Sequence, residues 1–159
     1  MRTTIIALAD EAATARFARA LAAEAVAGDV IALSGGLGAG KTALARAFVR
    51  ARAGDPALVV PSPTFTLVQV YELAGGPVWH VDAYRLADAD EAVELGLDEA
   101  FATAVVLIEW PEHVAGLIPQ SALRLALADG PDPDARRLTA TAPPLWEQRL
   151  DRVLAACDG

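Results

Sequence analysis

The eight residues 35–42 constrain this chain more than any other stretch. They match the pattern G-x-x-x-x-G-K-[ST] at every fixed position, from Gly35 through Gly40 and Lys41 to Thr42. A short apolar run precedes them, and an alanine- and arginine-rich stretch follows over 41–53. The pattern therefore predicts a strand, a glycine loop and a helix. Glycines let successive backbone N–H groups turn inward around phosphate oxygens, and the helix N-terminus adds partial positive charge.

Lys41 is the only lysine in the chain, and every other basic residue is arginine. A compact ammonium on a flexible stem can reach the β and γ phosphates of a nucleotide, whereas a guanidinium is planar and bulkier. The hydroxyl of Thr42 is the expected Mg²⁺ ligand of such a loop. These features predict nucleotide binding.

Two acids are candidates for metal binding and water activation. Glu109 ends the apolar run VVLIE, the usual layout of a second (Walker B) motif, although an idle acid at a strand exit fits the same pattern. Asp82 follows His80 by two residues on a predicted hairpin, so both side chains share one face. Considered without the phosphate loop, the pattern favours an ordinary surface charge for Asp82. For His80 it favours a structural rather than a catalytic role.

The segment SPTFT is a further candidate because it lies between the loop's helix and the next predicted strand. Ser62, Thr64 and Thr66 alternate there with Pro63 and Phe65. Nucleotide-sensing switch segments occupy this place in P-loop proteins. The alternative, a rigid loop leading into a strand, stays open.

The remaining pattern predicts an α/β fold. Strands alternate with helices, which favours a P-loop-like three-layer sandwich with a mixed, mostly parallel sheet. Two hairpins, one near 67–86 and one near 121–142, predict antiparallel additions, and a helix beginning near Pro144 closes the chain. The length of 159 residues fits a single domain over 1–159.

Composition narrows the class of protein. The formal net charge of −8 disfavours direct binding of DNA or RNA, because such binding usually rests on basic residues. A single cysteine and two histidines are too few for a disulfide or a Cys/His zinc cluster. No apolar run approaches a membrane span or reads as a signal peptide, so we expect a cytoplasmic protein without membrane contact. The guanine-specific N-K-x-D motif is impossible without asparagine, which favours ATP.

Five stretches together resemble the bacterial TsaE (YjeE-type) family: SGGLGAGKT, SPTFTL, HVDAYRL, ELGLDEAF and VLIEWPE. They occur in the family's order and approximate spacing, from about residue 10 to residue 112. The resemblance implies a small P-loop domain that is the ATPase subunit for threonylcarbamoyl-adenosine modification of tRNA beside the anticodon. It implies TsaD and TsaB as partners, with TsaD carrying the transferase chemistry and the tRNA reached through the complex.

The resemblance also implies residue roles. Thr42 and Glu109 would hold Mg²⁺, Asp82 would be needed for hydrolysis, and the segment 62–66 would act as a switch. Many relatives carry an acid where this chain has Gly36. The residues implied near the nucleotide are Glu11, Gly35, Gly38, Ala39, Gly40, Lys41, Thr42, Ala43 and Trp110.

The leading hypothesis is thus a Mg²⁺-dependent ATPase, weak without its partners. Lys41 would stabilise charge, Asp82 or Glu109 would position water, and Arg85 or a partner's arginine would stabilise the transition state. One alternative is a small-molecule kinase, although the sequence lacks an arginine-rich lid insertion. The other is a non-catalytic nucleotide-dependent regulator.

Overall fold

The strands that the structure describes form one seven-stranded sheet in the order β1-β7-β6-β2-β5-β4-β3. The structure, a computed structural model, describes residues 1–61, 67–86 and 89–157. The strands are β1 (Arg2–Leu8), β2 (Val30–Ser34), β3 (Val68–Leu73), β4 (Gly76–Asp82), β5 (Val105–Glu109), β6 (Leu123–Asp129) and β7 (Arg136–Ala142). The helices are α1 (Glu11–Glu24), α2 (Lys41–Ala53), α3 (Ala89–Glu94), α4 (Leu97–Thr103) and α5 (Pro144–Cys157).

The four central strands are parallel and the outer ones are antiparallel. Strands β6, β2, β5 and β4 run in one direction, whereas β1, β7 and β3 pair antiparallel with their neighbours. Both predicted hairpins, β3–β4 and β6–β7, are confirmed, and so is the mixed α/β fold class. Because parallel strands end at the same edge, the carboxyl ends of β2, β5 and β4 meet there.

Helices cover both faces of the sheet. Ile31 and Leu33 of β2 point into a core formed with α1, α2 and α5, whereas Val30 and Ala32 point into a second core with α3 and α4. All four side chains are buried. Burial on both faces explains why β2 and β5 read as continuous apolar runs rather than alternating ones.

Helix α1 ends earlier than its pattern predicts. Asp10 caps its start by accepting a hydrogen bond from the Ala13 N–H at 2.8 Å, as expected of a capping aspartate. The helical spacing of Phe17, Leu21 and Ala25 and the glycine at position 28 predict a helix that ends at Gly28, but Ala25 already has an extended backbone. The carboxylate of Asp29 accepts a hydrogen bond from the Val26 N–H at 2.7 Å, which stabilises the turn into β2.

The helices of the described ranges are short and polar enough that none could cross a membrane. Two 3-10 segments follow strands β4 and β5: Ala83–Arg85 comes directly after β4, and Pro111–Leu117 comes one residue after β5.

Candidate functional site

The predicted phosphate loop connects β2 to α2 and needs glycine at two positions. Gly40 is the N-cap of α2 and has a φ of 103°, which a side chain would strain. Gly35 has a φ of 140°, and a Cβ there would lie 2.4 Å from the Leu127 carbonyl oxygen. At Gly36, by contrast, a Cβ would meet no atom of the described residues within 4 Å, so a side chain would fit there.

Lys41 lies folded over its own loop. Its Nζ donates hydrogen bonds to the carbonyl oxygens of Gly35 and Gly36 at 2.7 and 2.8 Å. The same ammonium lies 4.2 Å from the ring centroid of Trp110. Burial lowers the pKa of Lys41, and the negative charges of Glu109, Glu112 and Asp82 oppose that shift. The loop therefore presents a buried cation at the N-terminus of α2.

Glu109 is bonded to the loop's threonine and to a histidine below it. The Thr42 hydroxyl lies 2.9 and 3.1 Å from the two carboxylate oxygens of Glu109. His80 Nε2 lies 2.6 Å from Glu109 Oε2. Glu109 is 3% exposed, so it is not the solvated acid of the alternative interpretation. A buried carboxylate is tolerated because these hydrogen bonds replace water.

Asp82 stands beside Glu109 at the ends of adjacent parallel strands. The two residues are paired in register, and Asp82 is 8% exposed, which rules out an ordinary surface charge. Its Oδ1 accepts a hydrogen bond from the Tyr84 N–H at 2.9 Å and so caps the following 3-10 turn. The site thus brings two carboxylates, a hydroxyl and an ammonium to one edge of the sheet.

A cavity of about 330 Å³ joins these groups. The loop, the start of α2 and both acids contribute to its lining. Its lining residues are Leu37, Gly38, Ala39, Gly40, Lys41, Thr42, Ala43, Asp82, Glu109, Trp110 and Arg136.

Aromatic residues form one wall beside Lys41. Trp110 has a left-handed backbone with a φ of 59°, which is unusual for a bulky residue. Its ring lies 4.9 Å from that of Tyr84 and 6.1 Å from that of His113, centroid to centroid. This conformation turns the tryptophan back over the loop immediately after Glu109.

A second cavity, of about 270 Å³, adjoins the loop on the side of α1. Glu11 and Thr14 of α1 line it together with Gly40 and Ala43. Arg136 reaches both cavities and donates a hydrogen bond to the Gly38 carbonyl at 3.4 Å. Glu11, predicted near the nucleotide, therefore lies next to the loop and not among the acids.

One residue of the site, Arg136, and one contact, that of His80 with Glu109, were not predicted from the sequence. Arg136 lies near the loop because β6 pairs with β2, and β7, which carries Arg136, pairs with β6. No local sequence pattern reveals this strand order. The contact of His80 with Glu109 depends likewise on β4 pairing with β5. Arg85 is exposed on the 3-10 turn and lines neither cavity. The predicted switch residues Ser62, Thr64 and Thr66 lie outside the described residues.

The fold and the loop together define a P-loop protein of the α/β class. A strand, a glycine loop and a helix stand at the carboxyl edge of a parallel sheet, which is the setting that this motif requires.

Comparison with known proteins identifies the family. The sequence model of the threonylcarbamoyl adenosine biosynthesis protein TsaE matches residues 8–138. The tRNA threonylcarbamoyladenosine biosynthesis protein TsaE of Bacillus subtilis is 39% identical, over 81% of this chain and 79% of its own length. That of Rickettsia bellii is 37% identical, over 76% and 83%. The chain belongs to the TsaE family.

A solved structure supports the same assignment. The crystal structure of Bacillus subtilis YdiB superimposes with a TM-score of 0.79 at 29% sequence identity. The match covers 97% of this chain and 95% of the other, so it includes the outer strands and α5 as well as the loop.

Proposed function

We propose that this chain binds ATP with Mg²⁺ and hydrolyses it in the biosynthesis of threonylcarbamoyladenosine in tRNA, working with TsaD and TsaB. One observation carries the proposal. Lys41, Thr42, Asp82 and Glu109 line a single cavity at the carboxyl edge of the parallel strands. Membership of the TsaE family supplies the pathway, because the matching family and relatives are biosynthesis proteins for this tRNA modification.

The loop supplies the phosphate site. Backbone N–H groups at the start of α2 and the Lys41 ammonium together favour a polyanion. In the structure, Lys41 Nζ donates to two loop carbonyls at 2.7 and 2.8 Å. Phosphate oxygens carry more negative charge than carbonyls and are the stronger acceptors, so they would draw Nζ away from the carbonyls.

Thr42 and Glu109 would hold Mg²⁺. Both present hard oxygen atoms, and the hydroxyl lies within 3.1 Å of both carboxylate oxygens, so the pair fits an oxygen-loving cation. When bound, the ion would neutralise charge on the phosphates.

Asp82 is the candidate that orients the attacking water. Its carboxylate lies beside Glu109 and lines the cavity. The water oxygen would bond to the γ-phosphorus as the bond to the bridging oxygen breaks, releasing ADP and phosphate. The Asp82 carboxylate would accept the water proton. Lys41 would stabilise negative charge on the phosphoryl oxygens.

The second cavity is the place for the nucleoside. It adjoins Gly40 and Ala43, the residues from which a bound chain of phosphates would continue away from the acids. Glu11, Thr14 and Arg136 offer hydrogen-bonding groups there. We infer that these residues contact the ribose and base of ATP.

The test is phosphate release from ATP by the purified chain, alone and with its own TsaD–TsaB pair and tRNA. We expect little release alone and a clear rise with the pair. Tight ATP binding without turnover in every mixture would make the chain a nucleotide-dependent regulator instead. Transfer of the γ-phosphate to a metabolite would make it a kinase.

A further inference from the structure

His80 lies directly beneath Glu109 and is completely buried. Its exposure is 0%, and Nε2 lies 2.6 Å from Glu109 Oε2. The two residues occupy neighbouring strands, with His80 opposite Leu107 and Asp82 opposite Glu109. The imidazole therefore approaches the carboxylate from inside the fold, while Thr42 approaches it from the loop.

We propose that His80 is a positioning residue that fixes the Glu109 carboxylate for Mg²⁺. The inference rests on the proposed function, in which Glu109 is a metal ligand. His80 Nε2–H donates to Oε2 and holds the side chain toward Thr42. Partners behind a ligand commonly fix its orientation in this way.

The second ring nitrogen of His80 argues against a purely structural role. Within the described part of the chain, Nδ1 is buried and has no hydrogen-bond partner. An unpaired buried polar atom is costly, and an apolar side chain of similar size would fill the space without that cost. The bond to Glu109 is the feature of the histidine that such a side chain could not supply.

Burial makes it difficult for a water molecule to replace the hydrogen bond that His80 donates to Glu109. Glu109 is 3% exposed and His80 is fully buried, so their contact is shielded from solvent. A glutamate has three rotatable side-chain bonds, and without the donor its carboxylate would sample other rotamers. Loss of His80 should therefore weaken metal binding while leaving the phosphate loop intact.

The experiment compares His80→Leu, which removes the donor, with His80→Gln, which keeps an N–H near the Nε2 position. Tyr71→Phe is the matched control, because the Tyr71 hydroxyl is likewise buried without a partner in the described residues. Affinity for a fluorescent ADP analogue is measured without Mg²⁺ and across a Mg²⁺ titration.

We expect Mg²⁺-free binding of His80→Leu to match the unsubstituted protein. Its half-saturating Mg²⁺ concentration should rise by about 10- to 100-fold, the usual effect of losing such a partner. His80→Gln should recover most of this loss, and Tyr71→Phe should show none. A His80→Leu titration within twofold of the unsubstituted protein, or an equal loss of Mg²⁺-free binding, would overturn the inference.

A measurement on the unsubstituted protein guards against misfolding of His80→Leu. The ¹⁵N spectrum of the imidazole should show Nε2 protonated, with a slowly exchanging N–H. A bare Nε2 would overturn the inference. If the nucleotide affinity of the unsubstituted protein does not change with Mg²⁺ concentration, the proposed metal role of Glu109 is wrong, and this inference is wrong with it.

Discussion

At the scale of single residues, the fold buries the Lys41 ammonium and holds it at the phosphate loop. The side chain is 5% exposed and makes its hydrogen bonds with backbone carbonyls of its own loop. Burial lowers its pKa because the charged form loses hydration. The ammonium is thus both held in place and closer to losing its proton than an ordinary lysine.

This environment predicts a pH dependence of nucleotide binding. Protonated Lys41 attracts phosphates and neutral Lys41 does not, so affinity should be highest below its pKa and fall as pH rises through it. Because that pKa is lowered, the fall should begin at a lower pH than an ordinary lysine would give. Equilibrium titrations from neutral to alkaline pH would measure it.

Lys41→Arg is the control for this prediction. Arginine stays charged throughout the range, so the variant should bind more weakly but with a flat profile. The same alkaline fall in Lys41→Arg would assign the effect to another group.

Asp82 carries the second prediction at this scale. Asp82→Asn keeps the size and the bond from the Tyr84 N–H but loses the charge that accepts a proton. We expect partner-stimulated hydrolysis to fall by about 10²-fold or more, with nucleotide affinity nearly unchanged. Glu112→Gln, which removes an exposed acid near Lys41, should leave hydrolysis near its original rate. Equal losses in both variants would indicate a general charge effect.

At the scale of elements, Arg52 of α2 ties three parts of the fold together. Its guanidinium donates to the carbonyls of Ala22 and Ala25 at the end of α1, at 3.2 and 2.8 Å. It also donates to the Gly75 carbonyl in the β3–β4 turn at 3.3 Å. These bonds satisfy carbonyls that the end of α1 would otherwise leave unpaired.

Arg52→Ala should therefore lower the free energy of unfolding by about 1 to 2 kcal/mol. Arg52→Lys should recover only part, because one ammonium cannot reach all three carbonyls. Urea denaturation measures both. Arg16→Ala, at an exposed position on α1, is the control and should change the free energy of unfolding by less than about 0.5 kcal/mol. An equally small change in Arg52→Ala would show that the hydrogen bonds of Arg52 do not stabilise the fold.

The elements also show how far a sequence can be read. Helix α2 begins at Lys41 and ends at Ala53, as predicted, because the glycine loop and Gly54 mark its two ends locally. Both hairpins were predictable from alternating runs and turn residues. The position of β1 was not, since its antiparallel pairing with β7 joins residues 128 to 140 positions apart.

The residues of the site likewise differ in how far the sequence could predict them. The loop's glycines, Lys41 and Thr42 form a continuous motif and were predictable from spacing alone. Asp82 and Glu109 could be named as acids near strand ends, but their burial and adjacency depend on β4 lying next to β5. Contacts that cross strands, such as those of His80 and Arg136, need the strand order and were not predictable.

At the scale of the whole molecule, charge sets the relation to tRNA. The net charge of −8 opposes binding to a polyanion, because few cations are available to displace its counterions. We expect filter binding to show no retention of tRNA by the chain alone at physiological salt. Retention should appear only with the TsaD–TsaB pair. Tight binding by the chain alone that weakens steeply with salt would contradict this.

The buried Lys41 ammonium also makes the molecule unusually suited to covalent labelling. Since the chain has one lysine, an amine-acylating reagent has a single side-chain target besides the N-terminal amine. That amine is nearly inaccessible while it is bonded to the loop carbonyls, so the labelling rate reports how often the loop releases it. Mass spectrometry could then follow one cavity in the intact complex, with occupancy read as protection from the reagent.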